Sequence, residues 1–170
     1  MNVTGGIYNG RKLTAPDEKI VRPTLSKIRM SVFNTLYSIL GEFEGKTFLD
    51  MFGGSGIMGI EAISRGFSSV KVYEKNRKVA DIIKSNYKTL GLSPDLLIGD
   101  SLKLAEKETM HFDVIFIDPP YYSGIYENIL SVLPDSNIVV LEHVTNIEFI
   151  GYTVIKQKKY GDKYLTFCKK

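Results

Sequence analysis

The chain carries one cysteine, Cys168, so no intramolecular disulfide can form. Its two histidines, His111 and His143, show no metal-ligand spacing; neither zinc chemistry nor a Cys-His nucleophile pair is supported, and no metal is expected. No segment approaches the roughly 18 apolar residues that a membrane span needs. The opening residues, MNVTGGIYNGRK, lack the apolar core of a secretory signal. A cytoplasmic protein with no membrane partner is expected. Repeats, low-complexity tracts and linkers are also missing. The 170 residues, 44% hydrophobic and 24% charged, are therefore expected to form one globular domain, and a monomer.

Nor is there a large excess of charge of one sign: the formal net charge is +3. Its distribution is uneven. Residues 1–30 hold six Lys/Arg against Asp17 and Glu18, residues 156–170 hold six Lys against Asp162, and the middle holds ten basic against sixteen acidic residues. If the two basic ends meet in space, they create a positive field suited to a polyanion; otherwise they are solvated termini.

What is present is a rhythm. The segment Gly5 to Leu13, with its Asn9-Gly10 dipeptide, reads as a short hairpin, and 17–24 as loop. In SKIRMSVFNTLYSIL, Ser26 to Leu40, the residues Ile28, Val32, Leu36 and Ile39 recur at helical spacing, with Thr24 or Ser26 as N-cap. From Thr47 strands and helices alternate. TFLDM, SVKVYE, LLIG, DVIFID and NIVVLEH read as strands; Gly56 to Ser64, Arg77 to Leu90 (with Gly91 as stop) and Ile125 to Leu133 read as helices. Such alternation predicts right-handed βαβ units around a mostly parallel sheet. The last stretch, TVIKQKKYGDKYLTFCKK, alternates on both sides of Gly161-Asp162 and predicts an antiparallel hairpin at the sheet edge.

Two loops carry the chemistry. Between the first strand and its helix lies Gly54-Ser55-Gly56-Ile57-Met58-Gly59, whose glycines permit a tight turn and close ligand approach. Glu74, twenty residues after Gly54 and at the end of the second strand, is placed for a ribose diol. A dinucleotide would set its pyrophosphate at the helix N-terminus. Asp50, just before the glycines, is a poor neighbour for a pyrophosphate but a good one for the ammonium and sulfonium of S-adenosylmethionine. Asp100 reads either as an acceptor for an adenine amino group or as the N-cap of a following helix. The second loop, Asp118-Pro119-Pro120-Tyr121, leaves the DVIFI strand as a stiff extended segment, because neither proline has an N–H and both fix φ. It offers acceptors beside an aromatic ring, a setting for a flat ligand with N–H donors, or else a rigid turn with Tyr121 over the core.

Together, Asp50 to Gly56, Glu74, Asp100 and Asp118-Pro-Pro-Tyr121 resemble the motifs of class I S-adenosylmethionine-dependent methyltransferases that act on exocyclic amino groups. The flanks Arg22-Pro-Thr24, Arg29, Phe33-Asn34, Glu61-Ala62, Ser64-Arg-Gly66 and Tyr160-Gly-Asp162 are similar to the RsmD family, which methylates the 2-amino group of a guanine in 16S ribosomal RNA. Met30 stands where that family commonly has Glu, and Gly53 where Ala is frequent.

The resemblance implies a Rossmann-like α/β fold: a mostly parallel seven-stranded sheet with an antiparallel C-terminal hairpin, residues 41–170, preceded by a hairpin and helix, residues 1–40. It implies cofactor contacts at Asp50, Phe52, Gly54, Ser55, Gly56, Glu74, Asp100 and Ser101, and catalytic roles for Asp118, Pro119, Pro120 and Tyr121. RNA contacts are implied at Arg11, Lys12, Arg22, Thr24 and Arg29. The partner would be ribosomal RNA, free or in a small-subunit assembly particle. Three rivals share part of the pattern: a DNA amino-methyltransferase, a dinucleotide oxidoreductase and a non-catalytic RNA-binding assembly factor.

Overall fold

The computed structural model describes residues 1–17, 24–120 and 125–170. The elements run α1 (Ser26–Leu40), β1 (Thr47–Asp50), α2 (Ile57–Ser64), β2 (Ser69–Glu74), α3 (Arg77–Thr89), β3 (Asp95–Ile98), α4 (Ser101–Ala105), β4 (Phe112–Ile117), α5 (Ile125–Ser131), β5 (Ser136–His143), β6 (Thr153–Tyr160) and β7 (Lys163–Lys169). All seven strands join one sheet in the order β3-β2-β1-β4-β5-β7-β6. The first five are parallel; β7 pairs antiparallel with both β5 and β6, placing β6 at the edge.

Continuous apolar strands follow from burial on both faces. In β1, Phe48 packs with Phe33 of α1 and Ile60 of α2, while its neighbour Leu49 belongs to the opposite layer with Ile129 of α5. Likewise Val114 and Phe116 of β4 face one layer, and Ile115 and Ile117 the other. An aromatic cluster fixes α1 against the sheet: Phe33 and Phe67 contact each other and each contacts Phe43 and Phe48, with the Phe43 and Phe67 rings stacked at 4.5 Å.

Two local expectations change. Helix α1 has Leu25 at its N-cap and no side-chain cap, because Thr24 donates its hydroxyl elsewhere and Ser26 accepts from Arg29. The N-terminal hairpin pairs residues 1–3 with 11–13, through the bridge Asn2 to Lys12 and the backbone hydrogen bonds beside it, rather than starting at Gly5. Its Asn9-Gly10 dipeptide sits at the centre of a turn closed by Arg11 N–H to Tyr8 O at 3.1 Å. That turn is held from outside, by Ser64: Tyr8 N–H donates to its Oγ at 2.9 Å and Ile7 N–H to its carbonyl at 2.8 Å. Gly6 is required there, since its φ is +75° and a Cβ would lie 1.7 Å from the Ser64 carbonyl oxygen. A short helix, α4, begins right after Asp100, in keeping with the N-cap reading of that residue.

Candidate active site

The strand order reverses between β1 and β4, which leaves a crevice at their carboxyl ends. A cavity of about 570 Å³ opens there, lined among others by Asp50, Phe52, Gly54, Ser55, Glu74, Asp100, Ser101, Asp118, Pro119 and Pro120. Side chains from four strand ends and from residue 24 thus meet in one place.

Asp50 ends β1 and is 1% exposed. Neither of its carboxylate oxygens has a hydrogen-bond partner among the described residues. Burial, followed by the negative charge of Asp118 and then of Glu74, pushes its pKa up to about 7, against partial opposition from the nearby amides of Phe52 and Gly59. A buried, unpartnered carboxyl on a cavity wall calls for a cationic donor from a ligand. Four carboxyl groups around one cavity, Asp50, Glu74, Asp100 and Asp118, also oppose the pyrophosphate of a dinucleotide, which weakens the oxidoreductase rival.

Glu74 has a double task. Its Oε2 accepts the Gly54 N–H at 3.0 Å and its Oε1 accepts the Asn76 N–H at 2.7 Å, so it braces the glycine loop and the start of α3. A carboxylate has about four acceptor positions, which leaves capacity for a diol. The loop itself is closed by Gly53 N–H to Tyr73 O and Gly56 N–H to Gly53 O, both 2.7 Å. Gly56 is absent from the cavity wall. Its glycine is explained by φ of +76° and by Ile83 of α3, 3.0 Å from where a Cβ would sit. Asp100 caps α4, its Oδ1 accepting the Lys103 N–H at 3.2 Å, and it lines the cavity as well. Both of its sequence readings therefore remain compatible.

Asp118 follows β4 directly and is half-buried; Pro119 is buried and Pro120 exposed. Tyr121 and Arg22 lie outside the described residues. Thr24, 8% exposed, also lines the cavity, and its hydroxyl donates to Asp118 Oδ2 at 3.2 Å.

The expected RNA contact at Arg29 is corrected: the side chain is 1% exposed. Its Nε donates to Glu61 Oε1 at 3.1 Å, its Nη1 to the Thr24 carbonyl at 2.5 Å, and its Nη2 to the Asn2 carbonyl at 2.7 Å and Ser26 Oγ at 3.2 Å. Arg65 also pairs with Glu61. Four of the five guanidinium N–H groups are engaged in this way, and burial keeps the side chain from a phosphate. Arg11 and Lys12, in contrast, are exposed on the hairpin.

Lys163 is a wall residue that no sequence signal assigns to the site. It is 6% exposed, pairs with buried Glu142 and lines the cavity beside Asp118. The available clue is its place directly after Tyr160-Gly-Asp162, a stretch that carries both the turn of the C-terminal hairpin and a family resemblance.

This sheet and this crevice are those of a Rossmann-like class I methyltransferase. Solved structures bear out the fold. One is yhhF of Escherichia coli, provisionally assigned as a methyltransferase: TM-score 0.87, 22% identity, covering 100% of this chain and 97% of that one. Another is a provisionally assigned methylase of Haemophilus influenzae: TM-score 0.78, 25% identity, covering 99% and 97%. The chain belongs to the RsmD family, whose description, "Conserved hypothetical protein 95", matches residues 1–169. Relatives include "Ribosomal RNA small subunit methyltransferase D" of Escherichia coli (strain K12), 31% identical over 150 residues, 87% of this chain and 74% of the relative. The protein of the same name from Haemophilus influenzae is 34% identical over 176 residues, 95% and 89% of the two chains.

Proposed function

We propose that this protein transfers a methyl group from S-adenosylmethionine to the 2-amino group of a guanine in 16S ribosomal RNA, the position-966 type of reaction. The names of its relatives support ribosomal RNA of the small subunit as substrate. The observation that carries the reading is the pairing of two carboxyl groups in one cavity: Asp50, buried and without a partner among the described residues, and Asp118, at the start of the Pro-Pro loop.

When bound, the cofactor supplies an electrophilic methyl group. Asp50 would receive its ammonium, Glu74 its ribose hydroxyls, and Asp100 or Ser101 the adenine edge. An aromatic amine is a weak nucleophile, because its lone pair is delocalised into the ring. The Asp118 carboxylate and the Pro119 carbonyl are acceptors for its two N–H groups; they orient the nitrogen and stabilise positive charge that develops only in the transition state. No strong base is required, since the methylated nitrogen is acidic enough to lose its proton to Asp118 or to water. Tyr121 is proposed to stack on the base, which must leave its helix to enter.

Labelled methyl transfer tests the reading. The protein is incubated with labelled S-adenosylmethionine and separate pools of ribosomal RNA, small-subunit assembly particles, transfer RNA and DNA, and the products are digested to nucleosides. N2-methylguanosine from 16S RNA, free or in particles, is the expected product. Label confined to DNA, transfer RNA or adenine would overturn the substrate assignment.

A further inference from the structure

The structure assigns Thr24 a role of its own: we propose that it is a positioning residue for Asp118, acting through its hydroxyl. This rests on the reaction proposed above. Two residues 94 positions apart in the chain are joined by a hydrogen bond of 3.2 Å, from Thr24 Oγ1 to Asp118 Oδ2, at the wall of the cavity.

The bond has a physical purpose. Pro119 and Pro120 stiffen the backbone after Asp118, but they do not fix the side-chain torsions of Asp118 itself. A carboxylate that must accept an amine N–H along one lone-pair direction gains from a donor that stops its rotation. Misorientation of a reacting group is among the larger losses available to an active site. Thr24 can serve as that donor because it is itself fixed. Its carbonyl is held by Arg29 Nη1 at 2.5 Å, and the same guanidinium is tied to Glu61 of α2 and to the Asn2 carbonyl of the hairpin. Glu61, fully buried, further accepts the Thr4 N–H and hydroxyl, each at 2.8 Å.

Energetics favour the same conclusion. A buried ion network is weak support for stability, since apolar side chains of similar volume often serve as well or better. Its distinctive product here is placement: the network holds residue 24 against the carboxylate. The start of α1 points the same way, because the helix begins with no side-chain cap while a threonine one residue before the N-cap turns its hydroxyl toward Asp118. The strut that fixes Thr24 also holds the base of the basic hairpin, so one guanidinium links the proposed RNA-docking element to the amine-orienting carboxylate.

Thr24→Val keeps the shape and removes the donor; Thr24→Ser keeps the donor. Methyl transfer is measured in single turnovers at saturating RNA and S-adenosylmethionine, with both affinities determined separately. The Val variant should transfer about tenfold more slowly, in line with the loss of one hydrogen bond to a charged group. Its affinities for RNA and S-adenosylmethionine should stay within about twofold, and the Ser variant should recover the rate to within about threefold. A Val variant at the wild-type rate would overturn the proposal. So would a loss confined to RNA affinity, which would make Thr24 an RNA contact, or a Ser variant as slow as the Val one, which would make the methyl group the important part. Wild-type protein inactive on every ribosomal RNA pool would instead overturn the reaction itself, and with it this inference.

Discussion

Asp50 is expected to set the pH dependence of cofactor binding. Its folded-state pKa, about 7, lies above the ordinary 3.8, so the native protein binds more protons than the unfolded chain between those values. The contribution of Asp50 to unliganded stability is therefore fully present below the lower value and falls as pH rises through the window. A bound ammonium reverses the preference by favouring the ionised form. Affinity for S-adenosylmethionine should rise several-fold from about pH 6 to about pH 7.5, then level as an α-amino group near pKa 8 begins to lose its own proton. Calorimetry across that range should show the rise in the wild type and a flat profile in Asp50→Asn; identical slopes would separate Asp50 from the ligand ammonium. Glu74→Ala should weaken the same binding by roughly 1.5–3 kcal/mol, as expected for charge-assisted hydrogen bonds, and should also lower the thermal midpoint because Gly54 and Asn76 lose their brace. Unchanged affinity in a folded variant would remove Glu74 from the site. Motif and spacing along the chain suffice to single out Asp50 and Glu74, since short loops at strand ends hold their own residues. Arg29 is equally visible as a motif residue, but its role is not. Burial of that guanidinium depends on Asn2, Thr24 and Glu61, and no local pattern announces those partners.

Elements are legible where periodicity runs long enough. Helix α1 has the bounds its apolar spacing predicts, and the strands fall within a residue or two of their apolar runs. Helix α4, five residues long, is too short to show a period, and the hairpin's Asn-Gly signal finds the turn but not Ser64 of α2, which holds it from outside. Gly56 shows how packing between elements decides a residue's meaning. The sequence suggests a ligand contact, yet the close neighbour is α3. Gly56→Val should destabilise the fold by roughly 1–3 kcal/mol through its left-handed φ and the Ile83 contact, and urea unfolding will measure it. At the hairpin, Arg11→Ala with Lys12→Ala should weaken RNA binding and flatten the slope of log affinity against log salt by about 0.7 per lost contact on single strands. S-adenosylmethionine affinity should stay the same, and Lys169→Ala with Lys170→Ala should change little. Equal losses in the two double variants would mean that general positive charge, rather than the hairpin, attracts the RNA.

For the whole molecule, alternation along the chain predicts a parallel sheet, but it cannot say which strands are neighbours. The order β3-β2-β1-β4-β5-β7-β6 puts the ends of β1 and β4 side by side, and so brings Asp50 and Asp118 to one cavity from positions far apart in sequence. Inserting β7 between β5 and β6 carries Lys163 to the same wall and pairs it with Glu142, a contact that only the tertiary fold creates. The central claim is that Asp118 acts on the substrate amine while the rest of the cavity holds the methyl donor. Its most direct test is Asp118→Ala: the rate of methyl transfer to 16S ribosomal RNA, measured alongside affinity for S-adenosylmethionine. The account predicts a rate lower by about 100-fold or more, a milder loss in Asp118→Asn, whose amide oxygen still accepts a hydrogen bond, and cofactor affinity close to wild type. An alanine variant that methylates at the wild-type rate would contradict it.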